Sequence, residues 1–172
     1  MDECGAHLAH TRAYARAPRG ERAVGQVPRN RGRVTTLIAS LTPAGPGPAR
    51  TRPGGTTKEA FLAYLREDLA PTLEAGQVVV LDNLGAHRPR EVREIVEAAG
   101  ARLIHLPAYS PDFNPIELAF AKLKARLRQA GARTHATLEA AIGDALAAIT
   151  PADTRGFYAH CGFALPPVAR PD

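Results

Sequence analysis

The chain has 172 residues, 45% of them apolar and 23% charged. That balance describes one globular domain and excludes a disordered chain. No run approaches the roughly 18 unbroken apolar residues of a membrane span, and the N-terminus lacks the apolar core of a signal peptide. Cys4 and Cys161 lie far apart and form no disulfide-framework or metal pattern, which suits a reducing cytosol. Residues 1–57 hold nine arginines, no lysine and three acids, whereas the remainder holds 13 basic and 14 acidic groups. A basic N-terminal third points to a polyanionic partner, although arginine-rich loops also serve solubility.

Residues 1–10 can extend but show little apolar alternation. Residues 11–33 are rich in Arg, Gly and Pro, with turn signals at Pro18-Arg19-Gly20 and Asn30-Arg31-Gly32. Val34 to Leu41 is β-branched and apolar, a strand. Thr42 to Thr56, dense in Pro and Gly, reads as a long mobile loop. From Thr57, a good N-cap, a helix places Phe61, Leu65 and Leu69 on one face, with Pro71 near its end. Gln77 to Asp82 is an almost wholly apolar run, expected to be a strand buried on both faces. Pro89 opens a helix carrying Val92, Ile95, Val96 and Ala99, stopped by Gly100. Arg102 to Leu106 is the next strand, and the helical connection implies a parallel pair with a right-handed crossover.

After the loop Pro107 to Phe113, Asn114 fits an N-cap and Pro115 the first helical position. Ile116, Phe120, Leu123 and Leu127 then share a face, and Gly131 ends the helix. A further helix starts at about Thr137 with Leu138, Ile142, Ala145 and Ile149 inward, and Thr150-Pro151 starts a last short one. The class is α/β, with one domain over residues 1–165 and a tail over 166–172.

Asp82 ends an apolar strand, where open α/β sheets place their sites. Its Asn83 and Gly85 neighbours equally suit a loop-closing Asp. Glu117 sits three residues after Asn114, the capping-box spacing, yet it can also point along the sheet edge toward Asp82. Thirty-four residues separate the two acids, room for one helix, one strand and one loop. Cys4, His7 and His10 lack the second pair of a tetrahedral zinc site. No Gly-rich phosphate loop is present. His105 on a strand reads as packing, and His87 follows the Asp82 turn and can face the site.

Val78 to Arg88 (VVVLDNLGAHR) and Leu106 to Glu117 (LPAYSPDFNPIE) resemble the DDE transposase/integrase superfamily, in particular bacterial insertion-sequence transposases related to the mariner elements. The likeness rests on Asp82-Asn83 with His87, on Tyr109-Ser110-Pro111-Asp112, on Asn114-Pro115-Ile116-Glu117, and on the 34-residue interval. Asp2-Glu3-x-Gly5 is similar to the family's first catalytic strand. The resemblance implies an RNase H-like fold, a central mixed sheet with strands 1–3 antiparallel and later strands parallel, flanked by helices. It implies that Asp2, Asp82 and Glu117 are catalytic and hold two Mg²⁺ or Mn²⁺ ions. The implied activity is DNA strand cleavage and strand transfer at element ends and target, by a homo-oligomer on DNA in the cytoplasm, associated with the nucleoid.

Only Met1 precedes Asp2, so the first strand is expected to be truncated and to hold Asp2 weakly. No helix-turn-helix is readable in residues 1–57, so the family's end-recognising region would lie upstream or on another chain. The alternative reading is a catalytically inactive, DNA-binding or interaction remnant of a transposase.

Overall fold

The computed structural model describes residues 1–83, 85 and 89–166. Strand β1 (Asp2–Ala6) runs antiparallel to β2 (Thr35–Thr42), and β2 antiparallel to β3 (Gly45–Pro53). Strands β4 (Val78–Leu81) and β5 (Arg102–His105) pair in parallel, with Val78 opposite Arg102 and Leu81 opposite His105. The Met1 nitrogen donates to the Val80 carbonyl at 2.9 Å, so the start of β1 lies against β4 and links the two sheets. This is the mixed α/β arrangement expected from the sequence. All five residues of β1 pair with β2, from Asp2 opposite Ala39 to Ala6 opposite Thr35.

The period-two geometry of strands sends neighbouring side chains to opposite faces. Leu37 and Ala39 join Cys4 and Ala6 against α3 (Pro115–Ala130) and α4 (His135–Ala147). Ile38 faces the other way, into a second core with Phe61, Tyr64 and Leu65. That second core also takes Val79 and Leu81 of β4, Leu103 of β5, and Val92 and Val96 of α2 (Arg90–Ala98). The predicted stripe of α3, Ile116, Phe120, Leu123 and Leu127, is wholly buried. At its end Gly131 adopts φ +58°, the left-handed cap that lets its amide reach the Leu127 carbonyl.

The helix from Thr57 is less regular than a simple periodicity suggests. Thr57 caps α1 (Lys58–Tyr64), which continues as a π-helical turn over Leu65–Leu69 and a 3₁₀ turn over Ala70–Thr72. The spacing of Phe61, Leu65 and Leu69 accounts for this. A step of four overshoots an ideal α-helical turn by roughly 40°, and the wider π turn keeps all three buried on one side. Arg50 of β3 binds Glu67 and Asp68 of that turn at 2.8 and 2.6 Å.

Three expectations change. Residues 42–56 are not one loop: a two-residue turn, Pro43-Ala44, leads straight into β3. The prolines Pro46, Pro48 and Pro53 are tolerated because β3 is the outer strand of its sheet, where a missing N–H costs little. The Gln77–Asp82 run is covered on one face only. Val79 and Leu81 are buried, while Val78 and, beside it on β5, Ile104 are both more than 40% exposed. The helix placed at about Thr137 begins at His135, because Thr134 and Thr137 form a reciprocal cap around its first turn. The last helix, α5 (Pro151–His160), starts where expected, with Thr150 and Asp153 capping one another.

Candidate active site

Three separate elements bring the predicted acids to one place. Asp2 opens β1, Asp82 directly follows β4, and Glu117 lies in the first turn of α3. All three line a single cleft of about 410 Å³, walled otherwise by Asn83, Asn114 and the loop from Leu106 to Pro111. Parallel pairing of β4 and β5 makes this convergence, since both strands deliver their following loops to the same edge.

Asp2 is held firmly, contrary to the expectation for a truncated strand. It is only 7% exposed. Its Oδ1 accepts from the Glu3 amide at 2.7 Å, and its Oδ2 accepts from Nδ2 of Asn114 at 3.0 Å. Burial pushes the Asp2 carboxyl up to about 7, against the lowering effect of the Glu3 amide, and the charges of Asp82 and Glu117 push it the same way. Asp2 thus lies within electrostatic reach of the other two acids of the cleft.

Asp82 is placed by its backbone. Nδ1 of His105 lies 3.0 Å from the Asp82 carbonyl, the Leu106 amide donates to the Leu81 carbonyl at 2.7 Å, and the Asn83 amide group bonds the Leu106 carbonyl. His105, read from sequence as packing, therefore helps to fix the end of β4. Glu117 is exposed. The capping box inferred from its spacing does not form: Asn114 makes no side-chain cap to α3, and only its backbone carbonyl accepts from the Glu117 amide, at 3.1 Å. Asn114, 5% exposed, spends its side chain on Asp2 instead. Sequence reasoning missed this role because Asn before Pro is also an ordinary helix start. The useful signal was a strong cap residue next to an acid already under suspicion.

Tyr109 stands on the rim, fully exposed and with φ +56°. A bulky residue in the left-handed region is a strained conformation of the sort that clusters at functional sites. His87 lies outside the described residues.

The donor set fits a hard divalent cation. Among the described residues the cleft wall carries three carboxylates and no lysine or arginine. Asp2 is thus a partly desolvated carboxylate of the kind whose charge Mg²⁺ or Mn²⁺ stabilises. The three acids do not form a ready-made cage, since among the described residues no group of three His, Cys, Asp or Glu side chains is drawn tightly together. Carboxylates facing one another without an intervening cation repel, and Glu117 is free to stay in solvent.

The class of protein follows from this arrangement and from sequence comparison. Residues 1–140 match the family model of the DDE superfamily endonucleases, and the chain belongs to that family. Its fold is similar to that of a Mos1 transposase paired-end complex with the left transposon end, at TM-score 0.71 and 21% identity over 93% of this chain and 50% of that one. It is similar also to the Mos1 strand transfer complex, at 0.70 and 20% over 92% and 49%. A mariner Mos1 paired-end complex with Mg matches at 0.67 and 20% over 93% and 50%. The chain thus spans about half the length of these proteins. No curated protein sequence matches it. The fold is RNase H-like, as the resemblance implied.

Proposed function

We propose that this chain is the catalytic domain of a mariner-related transposase, which cleaves a DNA strand with the help of divalent metal and transfers the freed 3′ end to target DNA. One observation carries the reading: Asp2, Asp82 and Glu117, far apart in sequence, line the same cleft. Asp2, Asp82 and Glu117 would hold two Mg²⁺ or Mn²⁺ ions. A bound pair of such ions lowers the pKa of an attacking water and neutralises charge on the phosphate and the leaving oxygen.

The remaining work belongs to the protein's own groups. Asn114 keeps one Asp2 oxygen oriented and leaves Oδ1 to the Glu3 amide. His105 and Asn83 hold the end of β4, so that Asp82 is presented from a rigid edge. Glu117, on the solvent side, would steer water toward the scissile phosphate. In strand transfer the 3′ hydroxyl takes the place of that water, and the same carboxylates serve both steps. The reading includes assembly as a homo-oligomer on DNA, association with the nucleoid, and element-end recognition by a helix-turn-helix region in the upstream chain or another chain.

The deciding experiment is Mn²⁺-supported nicking of DNA carrying the element end. With an end-recognising region supplied in cis or on another chain, the wild-type chain should nick, and Asp82→Ala should abolish it. Retention of full activity by Asp82→Ala would remove the cleft from the reaction. Steeply salt-dependent binding with no divalent-dependent nicking by the wild type, even with the end-recognising region supplied, would assign the chain as a DNA-binding remnant.

A further inference from the structure

The longest segment without regular structure joins β1 to β2 and is strongly basic. Residues 11–33 hold seven arginines and one acid, Glu21. All seven arginines are exposed, and among the described residues none is paired with a carboxylate. The segment is anchored at its base. The Leu8 amide donates to the Arg31 carbonyl at 3.3 Å, closing the loop. Arg133, just beyond the end of α3, donates to the carbonyls of Leu8 and His10 and to Oγ1 of Thr11 at 2.9 to 3.1 Å. A groove of about 430 Å³ runs between the segment and the end of α3, lined by Arg12, Tyr14, Arg128 and Arg133 among others.

Helix α3 connects this groove to the cleft. At 100° per residue, Glu117, Lys124 and Arg128 fall within roughly 20° of one line along its surface. The charge of Lys124 acts on Cys4 of β1, and the charges of Lys124 and Arg128 both act on His10 at the foot of the segment. Lys122, by contrast, is turned away and bound to Asp153 of α5. The acidic end of α3 and its basic end therefore lie on one track. Along the axis Lys124 is roughly 10 Å and Arg128 roughly 16 Å from Glu117.

We infer that the Lys124–Arg128 face of α3 and the arginine segment 11–33 form a track for duplex DNA adjoining the strand in the cleft. This rests on the proposed nuclease function. Lys124 and Arg128, at increasing distance from Glu117 along α3, would meet phosphates flanking the reacting one. The contacts are to backbone and so independent of sequence. Exposed arginines without protein partners suit this, because phosphate binding then breaks no existing ion pair.

The test is the salt dependence of binding of the full chain to a fluorescein-labelled duplex of mixed sequence, in EDTA. Each phosphate contact contributes about 0.9 to the slope of log K against log salt. The Lys124→Gln/Arg128→Gln pair should reduce the slope by roughly 1.8. Arg12→Gln/Arg16→Gln/Arg19→Gln should reduce it further, while thermal unfolding stays unchanged. An unaltered slope in both variants overturns the track. So does a DNA-free dimer that the arginine variant converts to monomer with no change in DNA affinity, since the segment then serves a second copy. Asp82→Ala separates the two proposals: it should lose nicking and keep the wild-type slope.

Discussion

Asn114 and Asp2 are 112 positions apart, yet the Asn114 side chain donates to Oδ2 of Asp2 at 3.0 Å inside the protein. This bond ties the start of α3 to the start of β1, the two elements that carry the outer acids of the cleft. Replacing Asn114 by Leu leaves a buried carboxylate oxygen without its donor, a loss of about 1–3 kcal/mol. Urea unfolding in metal-free buffer should show it. Asn114→Asp, which places a second charge against Asp2, should cost more than Asn114→Leu, and a reversed order would argue against the bond.

The Asp2 carboxyl, raised to about 7 in the folded chain, sets a pH dependence of stability. In the unfolded chain the same group titrates near 3.9. The folded state therefore binds the extra proton between those values. Its stabilising contribution is full below about pH 4 and is lost as pH rises through about 7. Thermal unfolding in EDTA should show a melting temperature that falls from this group between about pH 4 and pH 7. Asp2→Asn should flatten that fall. Added Mn²⁺ should restore more stability at pH 8 than at pH 6, because metal and proton compete for the same oxygens.

Glu117 offers a clean separation of fold from chemistry. Its side chain is exposed and forms no capping box. Glu117→Gln should leave unfolding free energy within about 0.5 kcal/mol of wild type. Metal-dependent nicking by the same variant should drop at least about a hundredfold, in the range seen when a catalytic electrostatic group is removed. A large fall in stability with normal nicking would restore the capping role and deny the catalytic one.

Gly100 closes the turn between α2 and β5 at φ +79°, and a Cβ there would sit 3.3 Å from the Ala75 backbone. Its carbonyl accepts from the Gly76 amide at 2.9 Å, locking the loops that precede β4 and β5 together. Gly100→Ala meets both the left-handed penalty of about 1–2 kcal/mol and the close approach. A loss of at least that size in chemical denaturation is expected, with shared loosening of β4 and β5 in hydrogen exchange.

Leu123 belongs to the core between β1, β2, α3 and α4 and is 1% exposed. Leu123→Ala should cost about 2–5 kcal/mol. Since α3 also carries Glu117, the variant should lose nicking in parallel with folded fraction, and activity per folded molecule, measured at low temperature, should recover.

The sequence alone determined much of this protein. Helical periodicity placed α2, α3 and α4, because one buried stripe per helix is a local pattern with few rivals, and Thr150-Pro151 marked the start of α5. The apolar runs at 34–41, 77–82 and 102–106 marked three strands. Asp82 and Glu117 were legible through the motifs around them. Tertiary structure decided the rest, and each case depends on partners distant in the chain. β3 is a strand despite its prolines because β2 pairs with it from the inner side. Val78 and Ile104 stay exposed because no described element packs over that face of β4 and β5. The side chain of Asn114 left its own helix for an aspartate at the other end of the sequence. A cap and a long-range hydrogen bond ask for the same residue type, and only the position of β1 beside α3 settles which one forms.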